Sequence, residues 1–156
     1  MFPVGTILYF NIFQFQNSTT ASKPKYFVVI KHIDTGTLVA ALPSSQKHLP
    51  YDLHTTYGCI ELPDSGIGCF AFEAGQIVAD NGFMFPRDSY IYGQHLDEYD
   101  MANLATIYPL EGIDYDIKGI LLPTTLAALI GCLKNSASVK RRFKRYLCSL
   151  KEKASE

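Results

Sequence analysis

The chain has no tryptophan, and only 19% of its 156 residues are Asp, Glu, Lys or Arg. A disordered chain needs many charges and few apolar groups. Here 47% of residues are apolar, so most of the chain is expected to fold. There are four cysteines, Cys59, Cys69, Cys132 and Cys148, and no two are close in sequence. Without a close pair, Cys59, Cys69 and His54 do not make a structural zinc pattern. The spacing predicts free buried thiols and a reducing, cytoplasmic setting. No apolar run approaches the length of a membrane-spanning helix, so no membrane association is expected. No basic residue precedes the first apolar run and no small-residue cleavage site follows it, so no secretory signal is expected. Nor is there an internal repeat or a low-complexity tract. A Gly-X-Ser-X-Gly elbow for acyl transfer is lacking. The acidic residues from Asp97 to Asp116 lack the alternating ligands and central glycine of a calcium loop, and read as a solvated face. Neither a metal nor a cofactor is expected.

The charge is unevenly placed. Residues 1–137 carry seven Lys/Arg against thirteen Asp/Glu, a balance of −6, and residues 138–156 carry seven against two, a balance of +5. Phosphate neutralisation dominates nucleic-acid affinity, so the acidic body argues against a broad nucleic-acid-binding surface there. The basic end is a different matter.

The richest stretch is Lys23–Ser45. Two apolar runs, Tyr26–Ile30 and Thr37–Leu42, flank the polar segment Ile33-Asp34-Thr35-Gly36. Their β-branched and aromatic content predicts an antiparallel hairpin, with Gly36 taking a turn conformation that other residues resist. Both runs are continuously apolar, which places them at the buried centre of a sheet or small barrel. The hairpin then brings Lys23 and Lys25 beside Ser44 and Ser45 at one mouth. His48 and His54 follow closely enough for one of them to face that mouth. Histidine is the side chain that titrates near neutral pH.

Further strands are predicted for Val4–Phe15, Thr55–Leu62, Cys69–Ile77, Gly82–Phe85 and Ser89–Tyr92. Asn17–Ser22 and Gln46–Asp52 are loops, and Pro63–Gly66 and Asp80–Gly82 are turns. Asp97–Ile107 fits either a short helix or a strand pairing with Tyr115–Leu121. Pro123 suits a first helical position, and Leu126, Leu129, Ile130 and Leu133 recur at helical spacing. Ser136 or Ser138 is placed to cap a second helix. That helix carries Val139, Phe143, Tyr146, Leu147 and Leu150 on one face, and Lys140, Arg141, Lys144, Arg145 and Lys151 on the other. The division is a β body over 1–122 and a helical segment over 123–152, packed on the body and basic at its end.

The order of these parts resembles the PemK/MazF-like growth-inhibitor toxins. The resemblance is carried by Val4-Gly5-Thr6-Ile7-Leu8-Tyr9, by Lys23-Pro24-Lys25-Tyr26-Phe27-Val28-Val29-Ile30, and by Leu38-Val39-Ala40-Ala41-Leu42-Pro43-Ser44-Ser45. Ile117-Lys118-Gly119-Ile120-Leu121 before the helix is a weaker match. Where the family has arginine before the proline, this chain has Lys23. The family's hydroxyl position falls on Ser44 or Ser45. The resemblance implies a mainly β fold, a small SH3-like barrel with one or two C-terminal α-helices. It also implies a metal-independent endoribonuclease in which a ribose 2′-OH attacks the adjacent phosphate. Lys23 or Lys25 stabilises the charged transition state, and Ser44 or Ser45 assists. Its implied partners are RNA, an antitoxin protein and a second copy of the chain. The other reading is a non-catalytic barrel that binds a protein or nucleic acid through its mouth, or through Lys140, Arg141, Lys144 and Arg145.

Overall fold

The computed structural model describes residues 2–14 and 23–148. Phe15, the Asn17–Ser22 loop, Leu150 and Lys151 lie outside the described residues. The described chain is mainly β: eight strands in two antiparallel sheets, with three helices. The first sheet contains β1 (Thr6–Phe13), β2 (Lys23–His32), β3 (Thr37–Ala41), β7 (Asp97–Asp100) and β8 (Tyr115–Ile120), in the order β7-β3-β2-β1-β8. The second contains β4 (Gly58–Leu62), β5 (Ile67–Phe72) and β6 (Ser89–Tyr92), in chain order. The sheets do not close into one continuous barrel. They are tied by a bridge at Ser44 and Tyr90, which exchange both backbone hydrogen bonds (2.9 and 2.8 Å).

The central hairpin is β2–β3, with Val28 opposite Ala41 and Val29 opposite Ala40. Its continuous apolar character has a direct cause: both faces of the sheet are covered. Side chains alternate along a strand. Val28, Ile30, Val39 and Ala41 point into one core, shared with Phe70, Phe72, Leu129, Leu133 and Phe143. Phe27, Val29, Leu38 and Ala40 point into the other, shared with Phe10, Phe13, Tyr99 and Tyr108. The same alternation divides β5, where Cys69 and Ala71 face a third cluster and Phe70 and Phe72 face the first.

Three expectations need correction. Gly36 is not among the positive-φ glycines. The 33–37 turn is closed by other means: Ile33 N–H donates to Thr37 O (2.9 Å) and Gly36 N–H to Asp34 Oδ1 (2.8 Å). The segment Gly82–Phe85 is not a strand; it forms one bridge, between Ile77 and Met84, and is tied by Val78 N–H to Phe83 O (3.0 Å) and Gly75 N–H to Phe85 O (3.1 Å). Asp97–Ile107 is part strand and part helix, and its strand does not pair with Tyr115–Leu121, which lies at the opposite edge of the sheet. Asp97–Asp100 is β7, paired with β3, and α1 (Met101–Ile107) starts where the Asp100 carboxylate accepts from Asn103 N–H (3.1 Å). That N-cap satisfies an orphan donor and sets the boundary.

Two more helices follow. Pro123 opens α2 (Pro123–Asn135), which buries Leu129 and Leu133. Then α3 (Arg141–Leu147) buries Phe143 and Leu147. Neither Ser136 nor Ser138 caps it; its N-cap is Lys140, without a side-chain bond. The serines instead dock the corner between the helices onto the second sheet. Ser136 Oγ donates to Glu61 Oε1 (2.7 Å), Ala137 N–H donates to Glu61 Oε2 (2.9 Å), and Ser138 Oγ donates to Gly68 O (3.3 Å).

The cysteines also depart from expectation. Cys59 on β4 and Cys132 on α2 form a disulfide, while Cys69 and Cys148 are free. The bond spans 73 residues of sequence, and closing a loop of that size is worth about 4 kcal/mol in the chain-entropy account. That exceeds the roughly 1.5–3 kcal/mol of burying one leucine, so the disulfide is a principal anchor of α2. It removes the free-thiol premise for a reducing compartment. It also takes Cys59 out of any metal set with Cys69 and His54. No helix among the described residues is long and apolar enough to cross a membrane.

Candidate functional site

The hairpin mouth forms. The β2–β3 pairing ends at Val28 and Ala41, and beyond it Lys25 and Ser44 come to the same mouth. Both line a cleft of about 450 Å³, together with His48, His95, Asp97 and Lys140. These groups come from five places in the sequence, and each is held differently. Lys25 lies on β2 opposite Phe10 of β1. Ser44 is fixed by its double backbone pairing with Tyr90, and its Oγ accepts from Gln46 N–H (3.1 Å). That leaves the hydroxyl proton able to point elsewhere.

His48 is placed by Tyr92. The Tyr92 hydroxyl donates to Gln46 O (2.6 Å) and accepts from His48 N–H (2.9 Å). The same ring lies 5.2 Å from the His48 ring and 6.0 Å from the His95 ring, centroid to centroid. Next to it, Lys47 Nζ meets Asp88 Oδ2 at 3.3 Å, and Asp88 also accepts from Tyr57 Oη (3.0 Å) and Ala74 N–H (2.8 Å). Burial works against the Asp88 charge, but the bonds from Ala74, Tyr57 and Lys47 hold its carboxyl below the usual range. This network secures the segment that carries His48. His95 ends the 3-10 turn Gly93–His95 that follows β6. Lys140 arrives from the docked corner before α3.

The electrostatics of the cleft follow from crowding like charges in partly dehydrated space. Desolvation, then the neighbouring Lys23, lowers the Lys25 pKa from its ordinary 10.5. Desolvation, then His48 and Lys25, lowers the His95 pKa from 6.5. His95 is therefore a neutral imidazole at neutral pH, able to accept a proton. The cleft thus combines a neutral histidine, a second histidine, a hydroxyl and two lysines, with Asp97 on its wall.

The structure brings together Lys25 and Ser44 among the residues singled out from sequence. Ser45, one residue on, faces a neighbouring cleft of about 310 Å³ that also borders Lys25. Lys23 does not line either cleft and acts through its charge on Lys25. Of the basic helix residues, Lys140 enters the cleft, whereas Arg141, Lys144 and Arg145 do not. His48 faces the mouth, while the His54 ring is engaged with Leu49 O (2.8 Å). His95, like His32, is a histidine able to titrate near neutral pH, but nothing in the sequence places it at the mouth. Its sole sequence signal is a histidine just beyond a strand and a glycine, and its partners lie 47 and 70 residues away. Comparison of the chain with family models, curated proteins and solved structures gave no match.

Proposed function

We propose that this protein is a metal-independent endoribonuclease of the toxin type, acting on single-stranded RNA. One observation carries the reading: Lys25, Ser44, His48, His95 and Lys140 line a single cleft. Internal cleavage of RNA needs a base for the 2′-OH, an acid for the leaving 5′ oxygen, and cations for the charge on phosphorus. His95, held neutral, takes the 2′-OH proton as O2′ attacks phosphorus. Lys25 and Lys140 stabilise the pentacoordinate phosphorane, with Ser44 donating to a non-bridging oxygen. His48 is the group that delivers a proton to the departing 5′ oxygen. The products are a 2′,3′-cyclic phosphate and a 5′-hydroxyl, and exchange with water restores both histidines.

Lys23, which stands where the family has arginine, lies outside the cleft, and Lys25 supplies the positive charge there without arginine's bidentate fork. Lys140 offsets this with a second cation at the same cleft. The resemblance to PemK/MazF-like toxins, with its SH3-like architecture, its antitoxin and its homodimer, belongs to this proposal. The mainly antiparallel β body with C-terminal helices is in keeping with it. Cytoplasmic action, where RNA lies, is also part of the proposal; the Cys59–Cys132 bond does not favour it, because thiol reductants act against that bond there. Assays are therefore run with and without reductant.

The test in cells is induced expression in a bacterial host, with wild type beside Lys25→Ala. Wild type is expected to arrest growth and fragment total RNA, and Lys25→Ala to restore both. Normal growth and intact RNA with folded wild-type protein present would remove the reading in that host.

A further inference from the structure

We propose that the neighbouring cleft is a base-stacking subsite for the RNA strand, an inference that rests on the nuclease reading. Its lining includes Tyr9, Tyr26, Arg87 and Ser45, with Pro24 and Pro86 as further apolar wall. The two clefts share Lys25, and successive residues divide between them: Ser44 lines one and Ser45 the other. A strand whose scissile phosphate lies at Lys25 therefore has its adjoining nucleotide beside Tyr9 and Tyr26.

The chemistry there suits an unstacked base. Single-stranded RNA is held by aromatic faces for the bases and cations for the backbone. The Tyr9 and Tyr26 rings pack on each other, centroids 4.8 Å apart at 56°, and both border the cleft. Tyr26 is braced from behind by Phe85, 5.1 Å away and edge-on, and by Phe83 at 5.9 Å. Its ring is thus pre-organised, and a base stacking on it costs little further ordering. Lys118 Nζ stands 5.7 Å from the Tyr9 centroid. Lys25 and the exposed Arg87 line the cleft, and Lys118 stands outside its lining beside Tyr9, so basic and aromatic groups meet there on a chain of net charge −1. That resolves the objection raised by the acidic body, because the positive charge is concentrated where the strand passes.

The test uses fully 2′-O-methylated single-stranded oligonucleotides, which cannot be cleaved, with an abasic position moved along the strand. Binding is read by fluorescence anisotropy of an end label. Wild type is expected to lose about tenfold in affinity when one position is abasic, the size of one stacked base. Arg87→Ala and Tyr9→Leu should bind the intact strand about that much more weakly and lose the abasic penalty. Lys134→Ala, at an exposed cation on α2 that lines neither cleft, should keep it. Arg87 is exposed, so its variant tests the subsite even if Tyr9→Leu folds poorly. An abasic penalty undiminished in Arg87→Ala and Tyr9→Leu, or no penalty at any position in wild type, overturns the subsite and leaves the nuclease reading to its own cleavage assay. Wild-type protein that neither binds nor cleaves RNA overturns both.

Discussion

His95→Gln is expected to lower RNA cleavage by about 10²–10⁴-fold, the usual span for removing a general base, with strand binding nearly unchanged. Glutamine keeps a polar side chain of similar reach and cannot exchange a proton near neutral pH. The pH dependence gives a second signature. The folded pKa of His95 lies below its ordinary 6.5, chiefly by desolvation and then by the charges of His48 and Lys25. The acid limb of the wild-type rate profile should therefore fall below 6.5. Lys23→Ala should not remove the limb, because Lys23 is not among the causes. Lys25→Ala should move it upward, because a charge that disfavours protonation of His95 is gone. Stability follows by linkage: as pH drops from 6.5 towards the folded value, the unfolded chain takes up this proton first, so stability falls in that window. His95→Gln should lose that part of the dependence, as read by urea unfolding across pH.

Gly68→Ala is expected to cost about 2–5 kcal/mol, combining overpacking with the loss of hydrogen bonds to a carboxylate. A methyl at Gly68 overlaps Ser136 Oγ and lies 2.5 Å from Glu61 Oε1 and 2.7 Å from Ser138 Oγ. Gly93 faces the same corner, where a methyl overlaps Ser138 Oγ and lies 2.8 Å from Val139 Cγ2. Both glycines are therefore cradles for residues 136–139. The corner cannot retreat far, because Val139 is buried and α2 is tethered through Cys132. Its displacement also moves Lys140, so the folded fraction of Gly68→Ala should lose activity as well. Gly131→Ala is the control. It lies within α2 with nothing near its added methyl, and alanine is the better helix former by up to about 1 kcal/mol. Equal unfolding midpoints for Gly68→Ala and wild type would contradict the docked corner.

How much was legible in the sequence depends on how far apart the interacting residues lie. The β2–β3 hairpin was readable because its apolar runs and its turn are neighbours. Its ends brought Lys25 and Ser44 to one mouth, although Ser44 itself is fixed by Tyr90 of the second sheet. The nature of the 97–107 segment was not readable, because Asp97–Asp100 is a strand by virtue of β3 beside it. Local preference offers no such partner. Ser136 and Ser138 looked like caps because serine before a helix is a local signal. Glu61 and Gly68, which claim them, lie about 70 residues earlier. The Cys59–Cys132 bond and the approach of His95 to His48 have the same character, being products of how the second sheet folds over the first. The two halves of the candidate site therefore differ in origin: the hairpin supplies its cation and hydroxyl, and topology supplies its histidines and Lys140.

The most direct test of the proposed chemistry is the structure of the ends. Purified protein is incubated with a single-stranded RNA oligonucleotide in EDTA, and the fragments are weighed by mass spectrometry. The account predicts 2′,3′-cyclic phosphate and 5′-hydroxyl ends, abolished when the scissile 2′-OH is replaced by hydrogen and when His95 is replaced by glutamine. Intact RNA from folded wild-type protein would contradict it, as would 5′-phosphate ends, which require attack by water rather than by the ribose.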